Sequence, residues 1–281
     1  MQTTTIAVTA SMLTIGGVAT GISGDTTLQR RFRTWLVAAP VVLVPLLLVG
    51  TWGAAALAVV LGVVASREFG ALTTLPRRDT IALAVRVGLL PVVAVALPEL
   101  GLALVLTLPF LAAGSALATA DTTDGLRRAA LGAFGTLWIG GGLVGLVLLE
   151  PAVVVAVVLA VAVADVAAWC GGKTLGRRGP LARGLTDVSP NKTWGGVVGA
   201  LLGATAVLAI LAQAHIGLVA AVVVGGTVGD LLESMVKRAV GRKDAAGWLP
   251  GFGGLLDRID SLLVALPLSV LTTVVTTAVT T

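Results

Sequence analysis

Charge is scarce in this chain. Asp, Glu, Lys and Arg make up 12% of its 281 residues, whereas 57% are hydrophobic and the mean hydropathy is +1.03. A water-soluble globule of this size needs roughly twice that charge to cover its surface. Cysteine occurs once, at Cys170, which excludes an internal disulfide. Histidine also occurs once, at His215, so there is no Cys/His cluster for zinc or iron. His215 ends an apolar run and reads as an interfacial residue facing water. Aromatic residues are few, at 4%. They make no aromatic-plus-basic surface of the sort that nucleic acids need.

The chain is instead rich in long apolar runs. Runs of 15–25 residues, roughly the length that crosses ~30 Å of hydrocarbon, recur from end to end. They are continuous rather than alternating, which excludes a β-barrel pattern. The expected fold class is an all-α polytopic membrane protein of about ten transmembrane helices. The candidate spans are 4–22, 35–50, 52–66, 80–97, 99–119, 129–149, 152–170, 196–213, 216–236 and 257–279. Gly50-Thr51-Trp52-Gly53 reads as a hinge between two of them. The apolar segment Met1–Ser23 has neither a basic leader nor a cleavage site, and is expected to be a membrane helix rather than a signal peptide. The 36 glycines suit close helix packing. No internal repeat is visible.

The net charge of +5 follows from loop polarity. Alternate loops carry Arg30, Arg31 and Arg33; Arg67, Arg77 and Arg78; Arg127 and Arg128; Lys173, Arg177, Arg178, Arg183 and Lys192; and Lys237, Arg238, Arg242, Lys243 and Arg258. The intervening loops hold Glu99, Glu150 and His215 but no Lys or Arg. Of 19 basic residues only Arg86 lies deep within a span, Arg258 standing at the edge of 257–279. Arg86 either snorkels to lipid phosphates or serves the active cavity. By the positive-inside rule the basic loops are cytoplasmic, in the inner membrane of the cell. Two of these loops, 171–195 and 237–256, are long and rich in Gly, Pro and charge. They predict a polar site facing the cytoplasm. Residues 1–150 are expected to be scaffold and lipid groove, and 151–281 the catalytic region of one integral domain.

The chemistry-bearing residues are grouped. Asp257 and Asp260 share one face if a helix begins near Leu255. Such a carboxylate pair suits a hard cation such as Mg²⁺, although capping explains Asp257 as well. Asp230, Glu233, Ser234 and Lys237 form a stripe on the preceding helix. Intramembrane ionisable residues are functional candidates by default; the alternative is a Glu–Lys pair that holds the bundle. Pro250-Gly251-Phe252-Gly253-Gly254 allows backbone N–H groups to approach a phosphate. Lys237, Arg238, Arg242, Lys243 and Asp244 lie just before it. A second group contains Asp165, Trp169 and Lys173, followed by Ser189, Lys192 and Thr193 at the start of the next helix. Ser189 and Thr193 there either bind an anion or cap the helix, with Pro190 in its first turn.

These residues also carry a resemblance. Ser234-x-x-Lys237-Arg238, then Lys243-Asp244, then Pro250-x-x-Gly253-Gly254-x-x-Asp257-Arg258-x-Asp260 resembles the signature of the phosphatidate cytidylyltransferase (CDP-diacylglycerol synthase) family. Ser189-Pro190-x-Lys192-Thr193-Trp194 and Asp165-Val-Ala-Ala168 are similar to two further motifs of that family. The resemblance covers residues 160–265. The family has His at Phe252, Glu at Gly195 and often Lys at Asn191. The resemblance implies a reaction of CTP with phosphatidic acid that gives CDP-diacylglycerol and pyrophosphate. It implies Mg²⁺ on Asp257 and Asp260 with Asp230 or Asp244, and leaves room for a second, monovalent cation and for a homodimer. Lys237, Arg238 and Lys243 would neutralise pyrophosphate. Asp165, Lys173, Ser189, Lys192, Thr193, Ser234, Gly253 and Gly254 would bind the nucleotide. Two other classes compete. A transporter of a small anion predicts charge near the midplane, and a CDP-alcohol phosphotransferase needs an Asp-Gly-x-x-Ala-Arg run that Asp124-Gly125-Leu-Arg-Arg-Ala does not supply.

Overall fold

Apolar runs of this length must satisfy their backbone internally, and the helix is the local solution. The computed structural model describes residues 11, 14, 36–177, 179–242, 246 and 253–280. Among them are helices and an isolated bridge between Gly184 and Thr193, but no strand. In chain order the helices are α1 (Leu36–Val49), α2 (Thr51–Leu72), α3 (Arg77–Ala96), α4 (Pro98–Thr107), α5 (Phe110–Ala118), α6 (Gly125–Leu148), α7 (Pro151–Arg177), α8 (Trp194–Ile210), α9 (Ile216–Ala239) and α10 (Leu256–Thr280).

Six of these are long and apolar enough to cross a membrane, and α4 with α5 makes a seventh if the bent pair is one span. The chain is therefore an all-helical polytopic membrane protein, but the expected count of ten is met only roughly. α1 and α8 are apolar but shorter. The expected span 99–119 is two helices bent by 44° beside Pro109, which has no N–H to continue the first. The expected span 4–22 lies outside the described residues except for positions 11 and 14, as do Arg30, Arg31 and Arg33. Gly50 is the expected hinge. Its φ of +70° breaks the chain between α1 and α2, a conformation that costs glycine little.

Small residues set the helix pairs. The most extensive contacts join α7 to α8, α9 to α10 and α2 to α3. Gly171 on α7 lies against Gly199 on α8, where an added Cβ would stand 3.0 Å from the partner Cα. Buried Phe69 and Trp138 and half-buried Phe134 form an aromatic cluster with ring centroids 5.4–6.2 Å apart.

Two polar contacts differ from expectation. Arg86 Nε donates to Thr136 Oγ1 on α6 at 3.1 Å, so it ties two helices together. Arg128, expected as a loop cation, is buried at the start of α6. It holds Asp79 of α3 in a fork, at 2.6 and 3.1 Å, and Asp121 at 2.5 Å. The backbone N–H of Asp124 and the Arg128 guanidinium keep the Asp121 carboxyl well below the usual carboxylate range. Removing one partner of such a pair strands the other charge, whereas removing both does not. Arg128→Met is therefore expected to lower the unfolding temperature in detergent more than Arg128→Met with Asp79→Asn. A double variant as unstable as the single one would show that stranded charge is not the cause.

Candidate active site

The site forms where α9 crosses α10. Gly225 and Gly229 let the helices touch: a Cβ on Gly225 would lie 2.7 Å from Ala265 N, and one on Gly229 2.9 Å from the Asp260 carbonyl carbon. This contact sets the turn after Gly229 opposite Asp260. Asp230, Glu233 and Asp260 each bring one carboxylate oxygen within 4.8 Å of the others. Glu233 and Asp260 are buried. Glu233 Oε1 is a buried oxygen with no hydrogen-bond partner. Three convergent carboxylates, one with an orphaned oxygen, fit a hard divalent cation.

The cluster opens into a cavity of about 560 Å³ between α7, α8, α9 and α10. Five carboxylates line it, those of Asp165, Asp230, Glu233, Asp257 and Asp260, against four basic side chains, those of Lys173, Lys192, Lys237 and Arg258. Lys237 Nζ bridges two carboxylates, ion-paired to Glu233 and 2.9 Å from Asp257 Oδ1. Lys192 is ion-paired to Asp230. Lys192 is held over the cavity because its segment is tied down, with Leu185 N donating to Lys192 O at 2.8 Å and Trp194 N to Arg183 O at 3.2 Å. Lys173 Nζ lies 3.9 Å from the centre of the Trp169 ring, which is 62% exposed.

The expected residues divide as follows. Asp165, Lys173, Lys192, Thr193, Asp230, Lys237, Asp257 and Asp260 share the cavity lining. Ser189, Ser234, Arg238, Gly253 and Gly254 do not line it. Lys243, Asp244 and Phe252 lie outside the described residues. Asp257, one turn before Asp260, is not among the three converging oxygens but adjoins them, against Glu233 and paired with Lys237. Its Oδ2 accepts from Gly254 N at 2.7 Å, so the Gly254 N–H expected to face a phosphate is already engaged. Gly253 has φ +81° and starts the turn into α10. α10 begins at Leu256, close to the expected Leu255.

The helix after the second motif starts at Trp194, and of the two expected caps it uses Thr193. Thr193 is the N-cap of α8, with Oγ1 accepting from Gly196 N at 3.3 Å, and Ser189 and Pro190 lie in the turn before it. Gly195 leaves no room for the family's Glu: its Cβ would stand 2.8 Å from Gly176 Cα. His215, expected to face water, is exposed and also caps α9, Nδ1 accepting from Leu218 N at 3.3 Å. Glu68 is the polar residue that sequence reasoning missed. Its place beside Arg67 reads as a loop, yet α2 continues to Leu72 and buries it.

A helical bundle in which carboxylates and lysines crowd one apolar-walled cavity defines an integral-membrane protein with a polar, cation-compatible site. Comparison with known sequences is more particular. A model of the cytidylyltransferase family matches residues 29–276. The match takes in most of the chain and all of the cavity, and the chain belongs to that family. It is 39% identical over 144 residues to the phosphatidate cytidylyltransferase of Pseudomonas aeruginosa, covering 44% of this chain and 49% of the relative. It is 41% identical over 108 residues to the chloroplastic phosphatidate cytidylyltransferase 4 of Arabidopsis thaliana, covering 35% and 26%. With that of Haemophilus influenzae it shares 38% over 117 residues, covering 37% and 39%. The chain thus spans half or less of the length of these relatives.

Proposed function

We propose that the protein transfers the cytidylyl group of CTP to phosphatidic acid, giving CDP-diacylglycerol and pyrophosphate. The observation that carries this reading is the Asp230–Glu233–Asp260 cluster, set beside Lys192 and Lys237 in one cavity of a cytidylyltransferase-family chain. The cavity volume falls in the range of about 300–1,000 Å³ usual for small-molecule sites.

The reaction forms a bond from a phosphate oxygen of the lipid to the α-phosphorus of CTP and breaks the bond from that phosphorus to the β-phosphate oxygen. The attacking oxygen is already ionised near neutral pH, so no strong general base is required. The work is alignment and charge neutralisation. A divalent cation such as Mg²⁺, held by Asp230, Glu233 and Asp260, would supply positive charge to the phosphate oxygens. Lys192 and Lys237 are ion-paired within the cavity, and a triphosphate exchanges those carboxylate partners for its own oxygens. Thr193 and Asp165 border the nucleotide, and Lys173 with Trp169 forms one wall beside it. Residues 1–150 supply scaffold and a groove for the lipid, and the cavity faces the cytoplasm, where CTP is.

The test is direct. Purified protein in detergent is incubated with labelled CTP, Mg²⁺ and phosphatidic acid, and with lysophosphatidic acid or a diether phosphatidate in parallel. Lipid-soluble cytidine and stoichiometric pyrophosphate are expected with phosphatidic acid. Product with none of the lipids overturns the reading; product only with another lipid phosphate reassigns the acceptor.

A further inference from the structure

Glu68 stands near the end of α2, far in sequence from the cavity, and is only 6% exposed. A buried carboxylate is costly unless hydrogen-bonded. Its two oxygens accept from Leu255 N at 2.9 Å and from Leu256 N at 2.7 Å, across 187 and 188 residues. The first N–H groups of a helix have no partner within it, and a side chain adjacent in sequence ordinarily caps them. Here the local carboxylate, Asp257, takes Gly254 N. Three successive amides at the start of α10 are therefore held by two carboxylates, one of them delivered by α2. Glu68 also packs directly on Gly254, where an added Cβ would lie 2.6 Å from Oε2.

The consequences run into the cavity. Gly254 and Leu256 flank the turn that aims Asp257. Asp257 holds Lys237 at 2.9 Å, and Lys237 is paired with Glu233 of the carboxylate cluster. Asp260 follows one turn later on the same helix. We propose that Glu68 is a positioning residue for this site: from the N-terminal half of the chain it fixes the start of α10, and with it the orientation of Asp257, Lys237 and the cation cluster. The inference rests on the cytidylyltransferase reading for its effect on turnover, but not for its effect on cation binding.

A plain helix cap would change stability and nothing else. Glu68→Gln keeps the shape and one acceptor. It is expected to leave most of the protein folded in detergent and to speed hydrogen exchange of the Leu255 and Leu256 amides. Without substrate it should weaken Mn²⁺ binding, read by electron paramagnetic resonance, by about 10-fold. In the assay above it should lower kcat by about 10–100-fold, as removal of supporting hydrogen bonds does at metal sites, with a smaller change in KM for CTP. Gly254→Ala presses on the same carboxylate without removing it and should show the same pattern, which keeps the test valid if Glu68→Gln fails to fold. Unchanged Mn²⁺ affinity, or a kcat loss that only tracks the folded fraction, overturns the proposal. Wild-type protein that binds Mn²⁺ in a Glu68-dependent manner yet forms no lipid-linked cytidine would overturn the assigned reaction and leave the positioning role standing.

Discussion

Asp260→Asn is expected to lower turnover by about 10²–10³-fold while leaving the protein folded. Asp260 is 6% exposed on α10 and shares the carboxylate cluster with Asp230 and Glu233. Asn is nearly isosteric, and its remaining oxygen still accepts from Ser261 N, as Asp260 Oδ1 does at 2.7 Å. The substitution therefore removes charge and leaves shape. A ligand to a phosphate-binding cation contributes several kcal/mol of charge stabilisation. Each 1.36 kcal/mol is a factor of ten, so the loss should reach about 10²–10³-fold. Unfolding temperature and cytidylyl transfer measured on the same preparation check both parts. Near-normal transfer would remove Asp260 from the cluster's function.

Gly229→Val should be nearly as damaging, by a steric route. The added Cβ would press on the Asp260 carbonyl oxygen and stand 2.9 Å from both the Asp260 carbonyl carbon and Ser261 Cα. These are backbone atoms and cannot turn aside, so α9 and α10 must separate. Overpacking of this kind costs about 1–3 kcal/mol. The same separation spreads Asp230 and Glu233 from Asp260, and misplacement by about 1 Å lowers rates roughly 10²-fold. Gly226→Ala is the control for stability: its Cβ would meet Ser261 Cβ at 3.9 Å, an ordinary contact. The check is unfolding temperature with Mn²⁺ affinity. If Gly229→Val matches Gly226→Ala in both, the close crossing does not hold the cluster together.

Much of this site was legible in one dimension. The spacing of Asp230, Glu233 and Lys237 places them on one stripe because helical periodicity is local, and Glu233 and Lys237 are indeed paired. The beginning of α10 was readable from glycines followed by Asp257 and Asp260. Loop lengths were less readable: α2 runs to Leu72 and α7 to Arg177. Charged residues end an apolar run on paper, but a helix continues through them when distant partners satisfy them, as Glu68 shows.

The partners themselves were not readable. Asp79, Arg128 and Asp121 form one buried clasp, yet in sequence they are a helix start and two loop residues. Asp257 and Asp260 look equivalent three residues apart. They diverge because Gly229 brings α9 against the Asp260 turn, while Lys237 meets the turn before it.

By itself, then, the sequence determined the all-helical membrane class, the polar segments and the side chains able to do phosphate chemistry, since hydropathy, periodicity and motif spacing are properties of the local chain. Only the tertiary structure decided which carboxylates converge, which lysines they pair with, and that a glutamate from the N-terminal half caps the helix carrying Asp257 and Asp260. Those outcomes depend on where one helix crosses another, and a crossing is set by contacts between residues as far apart as Glu68 and Leu256.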